Sequence, residues 1–247
     1  MTTPPRVLVV TPTYNERDNL PVLVREVMAR GPHFSMLVVD DASPDGTGAV
    51  ADALAAEFPG RVEVMHRTGR RGLGRSYVDA LSQAVTMDVD IVCQMDADFS
   101  HDPKYLADLV RGVTDEGLDL VIGSRYLHGV SVVNWPLSRL ILSTFANRYV
   151  RGITGLPARD CTSGYRCWRR EALARLPLRR FVSDGYAFLV EMLFEAMGAG
   201  CRIGEVPIIY VERREGQSKM SRGVILESVF VPWRLVARHP SWRGRRA

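Results

Sequence analysis

Apolar positions follow two rhythms along the first half of the chain. Residues 7–10 form an unbroken apolar run, the signature of a strand buried on both faces. Over residues 19–30, Leu20, Leu23, Val24, Val27 and Met28 recur at helical spacing. The alternation continues with strands at 36–40, 61–65, 91–95 and 118–122. Between them lie helices at 47–58 (Thr47 as its cap), 75–85 (entered through Gly72-Leu73-Gly74) and 103–113. Strand-helix repetition of this kind predicts an α/β fold with a mainly parallel sheet and right-handed crossovers. In the second half, residues 135–150 mix apolar side chains with Arg139, Asn147 and Arg148. A strong helix is expected at 185–197, a strand at 202–211 and an amphipathic helix at 224–237. No internal repeat or long linker interrupts the pattern. One domain is expected, its body spanning 1–222, with an amphipathic helix and basic tail over 223–247.

Composition narrows the class. Of 247 residues, 46% are hydrophobic and 24% charged, which suits a globular core and excludes wholesale disorder. The net charge of +4 is local: from Val211 onward nine Arg or Lys face three Glu, which leaves −2 for the first 210 residues. A near-neutral body with a basic end does not read as a nucleic-acid binder. No apolar run of 18 residues appears, so no transmembrane helix is expected, and residues 1–6 do not read as a secretory leader. Cys93, Cys161, Cys167 and Cys201 lack zinc-ligand spacing and are expected as reduced, buried thiols in a cytoplasmic chain.

Ligands of open α/β sheets sit outside the carboxyl ends of the strands, and this chain concentrates its polar clusters there. Pro12-Thr13-Tyr14-Asn15-Glu16 follows the first strand and offers an aromatic face and a carboxylate, without a glycine-rich phosphate loop. Asp40-Asp41 opens a turn through Gly46-Thr47; two adjacent carboxylates at a strand end serve no core, and Asp41 suits ribose hydroxyls or a base edge. Asp96-Ala97-Asp98-Phe99-Ser100-His101 follows the fourth strand. Two carboxylates at i and i+2 converge if the chain bends there, and a divalent cation would relieve their repulsion. Gly123-Ser124-Arg125-Tyr126 brings an arginine to the same rim, for bidentate phosphate binding or a salt bridge to one of those aspartates. Arg213-Arg214-Glu215-Gly216-Gln217-Ser218-Lys219 holds one of only two lysines, in a loop suited to closing over a diphosphate.

Taken in order, and together with Ser163-Gly164-Tyr165-Arg166, these motifs resemble the family 2 glycosyltransferases of the GT-A fold, and among them the dolichyl- and polyprenyl-phosphate mannosyltransferases. The likeness spans roughly residues 7–219. It implies an inverting transfer of mannose from GDP-mannose to a polyprenyl phosphate. It places Pro12, Tyr14, Glu16, Val39 and Asp41 at the nucleoside and Asp96, Ala97 and Asp98 at the metal and diphosphate, with Mg²⁺ or Mn²⁺ held by Asp96 and Asp98. Arg125, Arg213 and Lys219 are implied at phosphates, with Asp98, Arg125 and Lys219 as the catalytic set. Ser100 stands where some members have Gln as a further metal ligand. Arg139, Ser143 and Asn147 match positions near the acceptor phosphate. The acceptor implies peripheral attachment to the cytoplasmic face of a membrane, through the 224–237 helix and terminal arginines or through a separate anchoring protein. Three other readings are weaker. UDP-glucose or another nucleotide sugar could replace the donor. An oxidoreductase would need the glycine fingerprint that is absent after the first strand. A non-catalytic membrane adaptor would not need Asp96, Asp98, Arg125 and Lys219 intact.

Overall fold

The computed structural model describes residues 4–183, 185–211 and 222–242. In chain order the elements are β1 (Val7–Thr13), α1 (Leu20–Met28), β2 (Phe34–Asp40), α2 (Thr47–Glu57), β3 (Val62–His66), α3 (Leu73–Ala84), β4 (Ile91–Gln94), α4 (Leu106–Thr114) and β5 (Leu120–Ser124). There follow β6 (Val132–Val133), α5 (Leu137–Thr154), β7 (Arg166–Arg169), α6 (Arg170–Ala174), α7 (Gly185–Gly198), β8 (Ile203–Pro207), β9 (Tyr210–Val211) and α8 (Arg222–Arg238).

Seven strands form the main sheet in the order β3-β2-β1-β4-β7-β5-β8, and β6 pairs with β9 in a small ribbon. Alternate side chains feed two cores. Leu8, Val10, Leu37, Val39, Val92, Ile122 and Trp168 meet α3 and α7 on one face. Val7, Val9, Met36, Val38, Ile91, Cys93, Val121 and Cys167 meet α1, α2 and α4 on the other. The period of two along each strand makes this division. At Gly112 a Cβ would lie 2.7 Å from Val121, so only glycine lets α4 approach β5 this closely.

Six strands run parallel to their neighbours within β3-β2-β1-β4 and β5-β8, as the alternation predicts. The seventh, β7, is antiparallel to both β4 and β5, and the hydrophobic pattern does not reveal it. Arg-Cys-Trp-Arg does not look like an interior strand. Yet Arg166 is fully buried, its guanidinium donating to the carbonyls of Ser163 and Cys161. Trp168 donates its indole N–H to Gln94 at 2.8 Å. Three further expectations change. The 202–211 strand divides into β8 and β9, and the mixed 135–150 segment becomes one helix, α5, that runs on to Thr154. Thr47 is not a cap: Gly46, at φ +92°, takes that place, and the Thr47 hydroxyl serves the neighbouring loops instead.

The last helix packs on α7 and α5. Val231 and Leu235 are buried there, Arg238 approaches Glu191 at 3.6 Å, and Trp242 fills the space above Gly198.

Candidate active site

The loops after β1 and β2 are tied to each other. Asp41 donates its N–H to the Thr13 carbonyl, Asn15 to the Ser43 hydroxyl, Glu16 to the Thr47 hydroxyl and Arg17 to Asp45. Burial pushes the Asp45 carboxyl up, but hydrogen bonds from Thr47 and from the Thr47 and Arg17 amides outweigh it and hold the group below the usual aspartate value. Asn15 at φ +60° and Ala42 at φ +55° lie two residues beyond the ends of β1 and β2. Phe99, also at φ +60°, lies in the loop after β4. Left-handed backbone at non-glycine residues costs energy, and here it clusters on one rim of the sheet.

Tyr14 and Asp41 are braced by arginines that the sequence patterns did not single out. Arg71 lies 4.8 Å over the Tyr14 ring, donates to its hydroxyl at 2.9 Å and reaches the Ala42 carbonyl at 3.0 Å. Arg67 is buried and pairs with Asp41, while its Nε donates to Asp79 on α3 at 2.8 Å. The second Asp41 oxygen accepts the Gly72 N–H. Glu16 accepts from Asn19 at 2.9 Å. Pro12 and Val39 face each other across β1 and β2, but the Val39 side chain is fully buried in the core, and that of Ala97 nearly so. Those two positions therefore offer a ligand main chain only.

Beyond β4 the chain bends back on itself. The Asp96 N–H donates to Nδ1 of His101 at 3.0 Å, and Asp98 accepts from both the amide and the hydroxyl of Ser100. His101 is buried and stacked on Tyr165 at 4.8 Å. Burial lowers its basicity despite the nearby carboxylates, consistent with a neutral ring whose Nδ1 is an acceptor. Tyr77 reaches Asp96 from α3 at 3.5 Å. Gly164 closes this floor: a Cβ there would stand 3.4 Å from His101 and 3.7 Å from Asp96. Among the described residues no group of three or more His, Cys, Asp or Glu is arranged to hold a metal. Asp96 and Asp98 are hard oxygen donors of the kind Mg²⁺ and Mn²⁺ take, and two carboxylates fit a cation that fills its shell with water and diphosphate oxygens.

Arg125 departs from both sequence expectations. It neither presents a free fork nor pairs with Asp96 or Asp98. Its Nε and Nη2 donate to Asp160 at 2.7 and 2.6 Å, its own N–H donates to the same carboxylate at 3.0 Å, and Nη2 also reaches Thr162. The rings of Tyr126, Trp135 and Tyr210 each stand 5.5 Å away. Asp160 lies 35 residues from Arg125 in a loop with no strand-end signature, so no spacing rule pointed to it. Burial pushes the Asp160 carboxyl up, but the Arg125 charge and hydrogen bonds prevail and hold it below its usual range. Arg139 lies 4.3 Å over Trp135, the Tyr126 hydroxyl donates to Ser143 at 2.7 Å, and buried Asn147 donates to Thr162. Arg213 and Lys219 lie outside the described residues. Tyr14, Glu16, Asp41, Asp96, Asp98 and Arg125 thus all stand at the carboxyl ends of β1, β2, β4 and β5.

Comparisons with known proteins agree with this architecture. The family described as Glycosyl transferase family 2 matches residues 8–176. A polyprenol monophosphomannose synthase from Mycolicibacterium smegmatis is 46% identical over 97% of this chain and 91% of its own length. An undecaprenyl-phosphate mannosyltransferase from Micrococcus luteus is 45% identical over 98% of both chains. Among solved structures, glucosyl-3-phosphoglycerate synthase from Mycobacterium tuberculosis, crystallised with Mn²⁺, UDP and phosphoglyceric acid, superposes with a TM-score of 0.67 at 20% identity, covering 98% of this chain and 80% of that one. That likeness concerns the GT-A-like fold, while the sequence matches decide membership: the chain belongs to glycosyl transferase family 2.

Proposed function

We propose that the protein transfers mannose from GDP-mannose to a polyprenyl phosphate, giving polyprenyl β-mannosyl phosphate and GDP. The observation that carries this reading is the meeting of two unlike halves at one rim. Nucleoside-type groups (Tyr14, Glu16, Asp41) and the Asp96–Asp98 pair stand on one side. Arg125, at the end of β5, stands on the other with Arg139 and Ser143 of α5, a helix with an apolar surface. The near-full-length likeness to two lipid-phosphate mannosyltransferases supports the same donor and acceptor classes.

A lipid phosphate is already ionised at neutral pH, so its oxygen can attack the anomeric carbon without a strong general base. As the new bond forms on the opposite face, the bond to the diphosphate breaks and the configuration inverts. The chain's contribution is positioning and charge compensation. Tyr14 and Asp41, braced by Arg71 and Arg67, hold the nucleoside, with main-chain groups at Pro12, Val39 and Ala97 lining its path. Asp96 and Asp98 hold a divalent cation, Mg²⁺ or Mn²⁺, which when bound would offset charge on the leaving diphosphate. Arg213 and Lys219 serve the same phosphates, and Arg125, Arg139 and Ser143 receive the acceptor.

The lipid-facing side is best read from α5. Leu137, Ile141 and Phe145 recur every four residues and are 70, 60 and 66% exposed. Leu142 flanks them, and Tyr149, stacked on Phe145, links the stripe to Trp233 and to the Val229 carbonyl of α8, next to exposed Phe230. Between Leu137 and Thr154 there are three arginines and no acidic residue. An apolar stripe edged by cations suits the surface of an anionic leaflet. Among the described residues no helix is long and apolar enough to cross a membrane. We therefore read attachment as peripheral, on the cytoplasmic face, through α5 and α8 with the 223–247 segment as part of the same domain. A separate anchoring protein remains compatible with this surface.

Incubation with GDP-mannose, a polyprenyl phosphate and Mg²⁺ or Mn²⁺ tests the proposal: mannosyl lipid is the expected product. A thermal-shift comparison of GDP-mannose with UDP-glucose separates the two donor readings, since the true donor protects the fold more strongly.

A further inference from the structure

The Arg125–Asp160 pair is an expensive way to fill a core. Both side chains are almost wholly removed from solvent. A buried ion pair rarely stabilises a fold more than apolar side chains of the same volume, because desolvation of two charges offsets their attraction. What such a pair does provide is geometry. The Asp160 carboxylate takes three N–H groups of one residue. It is gripped from behind: Glu205 on β8 accepts the main-chain N–H groups of Arg159 and Asp160 at 2.8 and 3.0 Å. Buried Asn147 on α5 accepts the Cys161 N–H at 2.7 Å and donates to Thr162, which also accepts from Arg125. Arg166 holds the Cys161 and Ser163 carbonyls. The 159–163 loop is thus pinned from β8, α5 and β7 at once, and its one free-standing carboxylate is spent on Arg125.

We propose that Asp160 is a positioning residue for acceptor transfer, acting through Arg125. By occupying the Nε–Nη2 edge it denies that fork to any phosphate and leaves Nη1 as the edge Arg125 can offer. It also seats the guanidinium against Trp135, which Arg139 and Tyr210 contact as well. The carboxylate cancels most of the Arg125 charge, so this arginine orients a phosphate oxygen more than it attracts one, and anion capture falls to other cations. This inference rests on the acceptor reading above.

The test is a steady-state comparison of Asp160→Asn with the native protein, varying donor and acceptor separately. The expected result is a fall of 30-fold or more in kcat/KM for the polyprenyl phosphate, with KM for GDP-mannose changed less than threefold. In an Arg125→Met background, adding Asp160→Asn should change turnover by less than threefold, since the residue it acts through is gone. Asp160→Asn leaves a buried guanidinium uncompensated, so the apolar pair Arg125→Met with Asp160→Leu guards against misfolding. That variant should unfold at a temperature close to native, keep its thermal shift with GDP, and lose acceptor turnover. Equal losses toward donor and acceptor, or additive losses in the two backgrounds, would overturn the proposal by showing a general structural role. If the native protein makes no mannosyl lipid from any donor, the acceptor reading itself fails, which is a separate outcome.

Discussion

Arg67, buried at the start of the loop after β3, ties Asp41 at the end of β2 to Asp79 on α3. One guanidinium thereby sets the height and rotation of the carboxylate proposed to meet the donor's nucleoside. Removing it leaves Asp41 charged and poorly hydrated. Arg67→Met is expected to cost about 3–5 kcal/mol, the range for breaking one partner out of a buried pair. Chemical denaturation checks this, and Asp41→Asn in the same chain should recover part of the loss. GDP-induced thermal stabilisation should fall in the single variant, since the remaining carboxylate is no longer held in place.

Removal of the metal tests the Asp96–Asp98 pair. Asp98→Ala should reduce mannosyl transfer at least 100-fold with a native circular dichroism spectrum, because Ser100 loses a local partner while neither core is touched. Native protein in excess chelator should match that loss and recover when Mg²⁺ or Mn²⁺ is restored. Full activity in chelator would remove the metal from the mechanism.

Membrane attachment through α5 makes a prediction opposite to that of a purely basic anchor. Ile141→Ser with Phe145→Ser should weaken binding to anionic liposomes about tenfold or more, from lost apolar contact at roughly 25 cal/mol per Å². High salt should not restore the difference. Deleting residues 243–247 should instead produce a loss that salt abolishes, as expected for cations near a charged leaflet. Co-sedimentation at two ionic strengths distinguishes the contributions.

Acid stability should depend on Asp160. Its carboxyl is held below the ordinary aspartate value of 3.8 in the fold, so its contribution is complete above that value and is lost as pH falls through the depressed one. The stability gap between native protein and Asp160→Asn should therefore be constant from pH 7 to about 5 and narrow at lower pH, as the unfolded chain's Asp160 takes up a proton that the folded carboxylate resists, levelling off once the native carboxylate also protonates. Urea titrations at a series of pH values measure this gap. A gap that widens on acidification would reverse the sign assigned to the group.

Local chemistry made much of this protein legible. The runs of Val, Leu and Ile that build β1, β2, β4 and β5 are buried on both faces, so continuity of apolar residues marked them directly. Carboxylates at strand ends stand out for the same reason: the core cannot use them. Asp41, Asp96 and Asp98 were visible on that ground, and motif order pointed to the family. Where charge was absorbed by tertiary partners, the pattern misled. Arg166 carries no local signal of an interior strand and is buried in a central one. Arg125 reads as a phosphate ligand or a partner of Asp96 or Asp98, and is matched by Asp160 instead.

The sequence by itself determined the β-α alternation, the rim on which polar residues gather and the kind of chemistry they support, because each follows from neighbours within a few residues. The tertiary structure alone decided the antiparallel insertion of β7, the pairing of Arg67 with Asp41 and Arg125 with Asp160, and the exposed stripe of α5. These depend on contacts between segments tens of residues apart. There, hydrogen-bond satisfaction and desolvation decide whether an arginine is buried and spoken for or available to a ligand, and no local spacing encodes that outcome.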